Sequence, residues 1–349
     1  MAFERTRYAA FFGQSYGREG FQVGGAWAAF IESIRRLIDS DPTLIQSRIG
    51  GSPAIAATQT FQNLNCAWDG SAVLQKNTGA ADNYWLENDG TTAGPRLIAA
   101  LAAMAGAGVG YGALCYSHGE QDAAFTTTTA LANEVRAGME AIRQAVRTAI
   151  NPGNPNGIPW FVDLLGPRFT LHEMNEYRLR DAMLDMIGGD TRTFRGAEKY
   201  AANLDATTHP AEDFSGYARL GAWAGRKVAK WMSDLGELRG PQIGAVTRSG
   251  ATVTVPITTP GDVALVRPDR PDFFGLWDAS GTRLPITGFG WTGNTLTITA
   301  GGTPATMRYP ARSDRPHDIT NIIRLNNPAD PVFPGEPGLP LESVRTVSL

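Results

Sequence analysis

The chain has 349 residues and a net charge of −3, with acidic and basic residues interspersed, a balance that excludes an electrostatically driven nucleic-acid partner. Two cysteines, Cys66 and Cys115, are too few for a disulfide framework. The 40 glycines and 22 prolines predict many turns rather than a helical bundle, and the length allows two domains, or one large one, with a sizeable core.

Tyr8–Phe12 (YAAFF) reads as a short buried strand, and Gly13 breaks it. No basic and apolar leader precedes it, so the expectation is a soluble protein without a secretory signal, cytoplasmic or virion-associated. Val23–Ile38 has helical apolar spacing and no proline. Ser15 therefore falls on a strand-to-helix turn, at the carboxyl end of a sheet, where open α/β folds place chemistry. Asp39–Pro42 is a turn, and Thr43–Ile49 reads as a second strand ending in Gly50-Gly51-Ser52-Pro53. Residues 54–93 show no firm element; such an excursion either walls a pocket or is a surface insertion.

Pro95–Ala107 is predicted to be a helix with proline in its first turn. The apolar stretch Leu97–Val109 is too short to span a bilayer. Gly110–Tyr116 (GYGALCY) reads as a third strand, with Cys115 a small buried thiol. Thr128–Ile150 carries the strongest helical pattern and stops at Asn151-Pro152-Gly153. A buried strand over Ile158–Leu165, a charged helix over 170–187, a short strand over Tyr200–Leu204 and a long helix over Ala211–Leu235 follow. This alternation predicts a parallel sheet with helices on both faces.

The pattern changes near Arg239-Gly240-Pro241, which sets the expected domains at 1–240 and 241–349. Ala251–Ile257 and Thr295–Thr299 alternate with period two, turns fall at Asp278–Gly281 and Gly293-Asn294, and lysine is absent after Lys230. The second domain is therefore read as a small all-β sandwich. Pro256 inside an alternating run predicts an edge strand or a bulge, and the proline-rich Asn326–Pro340 an extended strap.

A serine becomes a nucleophile when a base takes its proton, usually a histidine oriented by a carboxylate. The four histidines are His118, His172, His209 and His317. His172 sits among charged helix residues and His317 in a loop of the β-domain. His118 follows a predicted strand and His209 precedes a long helix, both at the sheet end that carries Ser15. His118, Glu120 and Asp122 alternate as metal ligands might along a strand, but the Gly119 turn disfavours that, and no other His or Cys cluster supports a metal.

Gly13-Gln14-Ser15-Tyr16-Gly17 fits the G-x-S-x-G elbow of α/β-hydrolases, but in that family several strands precede the serine. The block resembles more closely the SGNH hydrolases, whose serine follows the first strand, and within them the sialate O-acetylesterase-like carbohydrate esterases. Three further blocks carry the resemblance in the same order: Gly50-Gly51-Ser52, Gly119-Glu120 with Asp122-Ala123, and Asp205 to His209 followed by Gly216-Tyr217-Ala218-Arg219-Leu220-Gly221. Two departures stand out. His118 replaces the family's glutamine, and three residues rather than two separate Asp205 from His209.

The resemblance covers residues 6–235 and implies a flavodoxin-like three-layer α/β/α domain and a carbohydrate O-acetylesterase without a cofactor. It implies Ser15 as nucleophile, His209 as base and Asp205 as its orienting carboxylate. The oxyanion would meet the amides of Ser15 and Gly51 and a side chain from His118, with Gln14, Ser52 and Glu120 in the surrounding blocks. Its partner would be an O-acetylated glycan, with no nucleic acid and no membrane span; the β-domain, outside the resemblance, is expected to bind glycan, pack against the catalytic loops or dock to a larger assembly. Three other readings stay open: a glycan-binding module without turnover, a lipid or thioester hydrolase of the same fold, and His118 rather than His209 as the base.

Overall fold

Arg7–Gly13 (β1), Gly110–Ser117 (β2), Trp160–Leu164 (β3) and Thr193–Glu198 (β4) pair in that order as a parallel sheet. The computed structural model describes residues 7–13, 86–87, 89–95, 97–98, 101–102, 110–117, 119–123, 126–166, 173–202, 216–232, 236–261, 263–313, 318–326 and 338–349. The chain divides into two units, one of Met1–Leu165 with Met174–Glu237, the other of Gly166–Glu173 with Leu238–Leu349. Parallel and antiparallel sheets together with helices make this a mixed α/β protein.

Every residue of β3 is buried, as are residues 113–117 of β2. Burial on both faces is what a parallel sheet requires, and it explains the continuous apolar runs in the sequence. Helix α1 (Thr129–Ile150) buries Ala132, Val135, Met139, Ile142 and Val146, a spacing of three and four residues that makes one stripe. The Thr128 hydroxyl caps it by accepting the Leu131 N–H at 3.2 Å. Its far end closes with the Asn151 N–H on the Arg147 carbonyl at 3.0 Å, ahead of Pro152. The stripe packs with Leu114, Tyr116, Trp160 and Val162 in the core of this unit. Helices α2 (Glu173–Gly188) and α3 (Tyr217–Met232) follow.

The strand expected at Tyr200–Leu204 lies earlier, at β4, and Lys199–Ala201 is a 3-10 turn. Arg195 and Glu198, 3.5 Å apart, interrupt the apolar run and hide the strand. A side chain at Gly196 would collide with the Asp163 carboxylate, and that carboxylate accepts the Ala197 N–H at 2.6 Å. The 54–93 excursion does hold local order where it is described. Leu86 bridges Ala93, and the Asp89 carboxylate accepts the N–H groups of Thr91 and Thr92, both at 2.8 Å. The expected helix over Val23–Ile38, the strand over Thr43–Ile49 and most of the strap lie outside the described residues. No helix among the described residues is long and apolar enough to cross a membrane.

The second unit is built of antiparallel sheets. One runs in the order Ile286–Thr292 (β11), Thr295–Ala300 (β12), Thr252–Thr258 (β7), Gln242–Ile243 (β5), with Thr247–Ser249 (β6) also on β7. Another runs Arg283–Leu284 (β10), Gly275–Trp277 (β9), Thr306–Tyr309 (β13), Val344–Ser348 (β15). Leu265–Val266 (β8) pairs with Arg324–Leu325 (β14). Val253, Val255 and Ile257 are buried from β7, and Leu296, Ile298 and Ala300 from β12, so the period-two pattern marks the inward faces.

Pro256 corrects the expectation of an edge strand: β7 is paired on both sides. A proline is tolerated there because its neighbour is interrupted. Residues 244–246 separate β5 from β6, and the Gly244 N–H reaches the Pro256 carbonyl at 2.8 Å. Glu342, almost fully buried, accepts the Arg239 guanidinium (Nε at 2.8 Å, Nη2 at 2.5 Å) and the Gly240 N–H at 3.0 Å.

Arg147, only 1% exposed, donates to Asp190 at 2.5 Å and to the Arg192 carbonyl at 2.7 Å, tying α1 to the turn before β4. Burial pushes the Asp190 carboxyl up, but the Thr193 hydroxyl, the Arg192 N–H and the Arg147 guanidinium prevail and hold it at about 2. A folded value below the unfolded one, about 3.9, gives stability that is complete above the unfolded value and lost as pH falls toward the folded one. Asp190→Ala should lower the unfolding free energy by about 3 kcal/mol at neutral pH, since it leaves a buried guanidinium unpaired. In urea titrations the gap from wild type should narrow between about pH 4 and pH 2; a gap that ignores pH would remove the ion-pair account.

Candidate active site

The carboxyl ends of the parallel strands are the place to look for chemistry. Gly13, the last residue of β1, is the register partner of Ser117, the last residue of β2. The two strands therefore end level with each other. Gln14 and Ser15 come next in sequence after one end, and His118 after the other.

Gly119 has φ +113°, a conformation that only glycine holds without strain. It is buried, and a Cβ there would sit 3.4 Å from Leu179 and from Met139. The turn opens a short helix, Glu120–Ala123, so Glu120 is its first residue, and the Ala123 N–H donates to the Gly119 carbonyl at 2.8 Å. Asp122 is buried. The Thr126 hydroxyl bonds to the Ala123 carbonyl at 3.2 Å and the Asn175 carbonyl at 3.0 Å, fastening this loop to α2. Glu120 and Asp122 lie in a helix, so the strand does not continue through them.

Around β3 and β4 lies a set of buried charges that the sequence reading passed over. Asp163 is on β3, Glu198 ends β4 and Lys199 follows it; Glu176 and Arg180 are on α2. Burial pushes the Arg180 guanidinium down from its ordinary value. Among the described residues its Nε and Nη1 meet no acceptor, and the Tyr177 ring lies 5.1 Å away. Burial pushes the Cys115 thiol well up, with a further push from Asp163, so Cys115 is the inert buried thiol expected of it. The signals available in sequence were an aspartate inside an apolar strand and a Glu–Arg pair four apart on one helix face.

Ser15, Gln14, Gly51, Ser52, His118, Asp205 and His209 lie outside the described residues, as do His172, His317 and Cys66. Glu120 is described through its backbone. Helix α3 begins one residue after Gly216 and carries the rest of the Gly-Tyr-x-x-Leu-Gly block, with Tyr217 and Leu220 buried.

No family model matches the chain, and no curated protein matches it. Among solved structures, a carbohydrate acetylesterase from Xanthomonas citri superposes with a TM-score of 0.48 and 14% identity, over 67% of this chain and 49% of that one. The chain thus spans about half the length of that protein. The surface-layer protein SbsC, domains 1–6, superposes with a TM-score of 0.22 and 14% identity, over 72% of this chain and 30% of that one. Scores of this size do not establish a shared fold.

Gly119→Ala should cost about 1–3 kcal/mol of stability, because alanine must hold the same positive φ or move the loop. Denaturant unfolding measures it. An unchanged midpoint would mean that the loop relaxes freely.

Proposed function

We propose that the chain is a serine esterase that removes O-acetyl groups from a carbohydrate. In this reading residues 1–240 form a flavodoxin-like three-layer α/β/α domain of SGNH type, and residues 241–349 a β-rich accessory domain. The observation that carries it is the level ending of β1 and β2 at Gly13 and Ser117. Two of the four family-like blocks continue directly from those two strand ends.

The Ser15 hydroxyl oxygen attacks the acetyl carbonyl carbon while His209 takes the hydroxyl proton. Asp205 orients His209 and stabilises its charge. The oxyanion is held by the amides of Ser15 and Gly51 and by an N–H of His118. Collapse breaks the bond to the sugar oxygen, which leaves with the proton from His209. Water, activated by the same histidine, then cleaves the acetyl-serine and releases acetate. Gly51 has to be a glycine because the backbone itself must approach the substrate.

The test is acetate release from O-acetylated glycans. Ser15→Ala should abolish it with the fold intact, and substantial remaining activity would remove the serine mechanism. Asp205→Asn should be milder than His209→Ala. His118→Ala should lower kcat roughly 100- to 1000-fold with little change in KM, as loss of an oxyanion donor does, and His118→Gln should recover much of it. A His118→Gln enzyme as inactive as Ser15→Ala, beside a nearly normal His209→Ala, would make His118 the base. The extra residue between Asp205 and His209 favours a second reading, a glycan-binding module without turnover; retained glycan binding with no acetate release from wild type would select it.

A further inference from the structure

The second unit holds a cavity of about 390 Å³, within the roughly 300–1,000 Å³ of small-molecule sites. Among the described residues, Arg270, Arg283 and Arg312 line it with one carboxylate, Asp272. Arg283 is braced on several sides. Its Nη2 donates to the Arg312 carbonyl at 2.5 Å, its Nη1 lies 3.5 Å from Glu173 of the same unit, and its guanidinium stands 5.5 Å from the Trp277 ring. Glu173 also accepts the Arg312 N–H at 2.9 Å, which holds the Arg312 backbone beside Arg283.

The rest of the wall is apolar apart from Ser313. Phe289, half-buried on β11, lines the cavity with Leu284 and Ile286. Phe273 lines it too, at φ +70°, the one non-glycine residue with positive φ among the described residues. Its carbonyl accepts the Ala311 N–H at 2.6 Å, which holds the strained turn in place. Strain of this kind costs of order 1–3 kcal/mol and collects at ligand sites.

We propose that this cavity binds a carboxylate-bearing sugar, a unit of the uronic-acid class. Guanidinium groups pair with carboxylates through two parallel N–H bonds, and the apolar face of a pyranose ring fits against an aromatic wall. A neutral sugar would offer the guanidinium groups hydroxyl acceptors without the charge complementarity of a carboxylate. A small inorganic anion would leave Phe289 unused. The site makes no use of Ser15, and binding is read without turnover, so its fate is separate from that of the esterase.

Calorimetry on the full chain tests it with tri-galacturonate, maltotriose and inorganic phosphate. Tri-galacturonate should bind at least about 10-fold more tightly than maltotriose, and Arg270→Gln and Arg312→Gln should each weaken it by about 10-fold or more, the loss of a charge-assisted bond. Phe289→Ala should weaken it as well. Arg270 is exposed, so its variant keeps the fold, checked by an unchanged thermal midpoint. No binding, equal affinity for the neutral trisaccharide, wild-type affinity in both arginine variants, or displacement by an equal concentration of phosphate would each overturn the proposal.

Discussion

Gly13 stands opposite Ser117 across a parallel strand pair, although more than a hundred residues separate them in sequence. Parallel strands need long crossover connections and burial on both faces. Here α1 supplies one covering layer and the uninterrupted burial of β2 and β3 shows the result. Whatever chemistry the sheet end supports depends on that register. A slip of one residue would reverse the facing of every side chain on the strand.

The register has to be held by something stronger than apolar packing, which is directionless. Two polar fixtures do this at β4. At one end the Arg147–Asp190 pair joins α1 to the turn that starts the strand. Further along, Asp163 reaches across from β3 to the Ala197 N–H, through the space that Gly196 leaves open. Both fixtures put a charged group in a low-dielectric setting, where a satisfied partner is worth most and a missing one costs most. The glycine and the aspartate are thus one feature, split between two strands.

That same feature explains what was hard to read in the sequence. Helix α1 and strands β2 and β3 were legible because their apolar spacing is unbroken from Thr128 to Ile150, over Gly110–Tyr116 and over Ile158–Leu165. Strand β4 was not, because Arg195 and Glu198 pair with each other and Gly196 makes room for Asp163 of β3, rather than following strand propensity. Pro256 misled for a related reason: a proline rules out one hydrogen bond, and the gap between β5 and β6 removes the need for it. The roles proposed for Ser15, His209, Asp205 and the oxyanion residues come from the resemblance of four sequence blocks to SGNH esterases, and those residues lie outside the described ones. The arginine-lined cavity was invisible to that approach, since its members meet only after folding.

The clasp of Glu342 on Arg239 and Gly240 bears on how the second unit is made. Strand β13 takes β9 on one side and β15 on the other. Leu325 and Ile323 receive their backbone partners from Leu339 and Leu341. During synthesis the segment from Gln242 to Tyr309 therefore emerges well before the residues that seal it. Until Ser348 has been added, β13 presents an unpaired row of N–H and C=O groups to its surroundings. Such open rows invite pairing with other chains. At roughly 5–20 residues per second the interval lasts a few seconds on each ribosome. A chain stopped a few residues short would carry that open strand permanently.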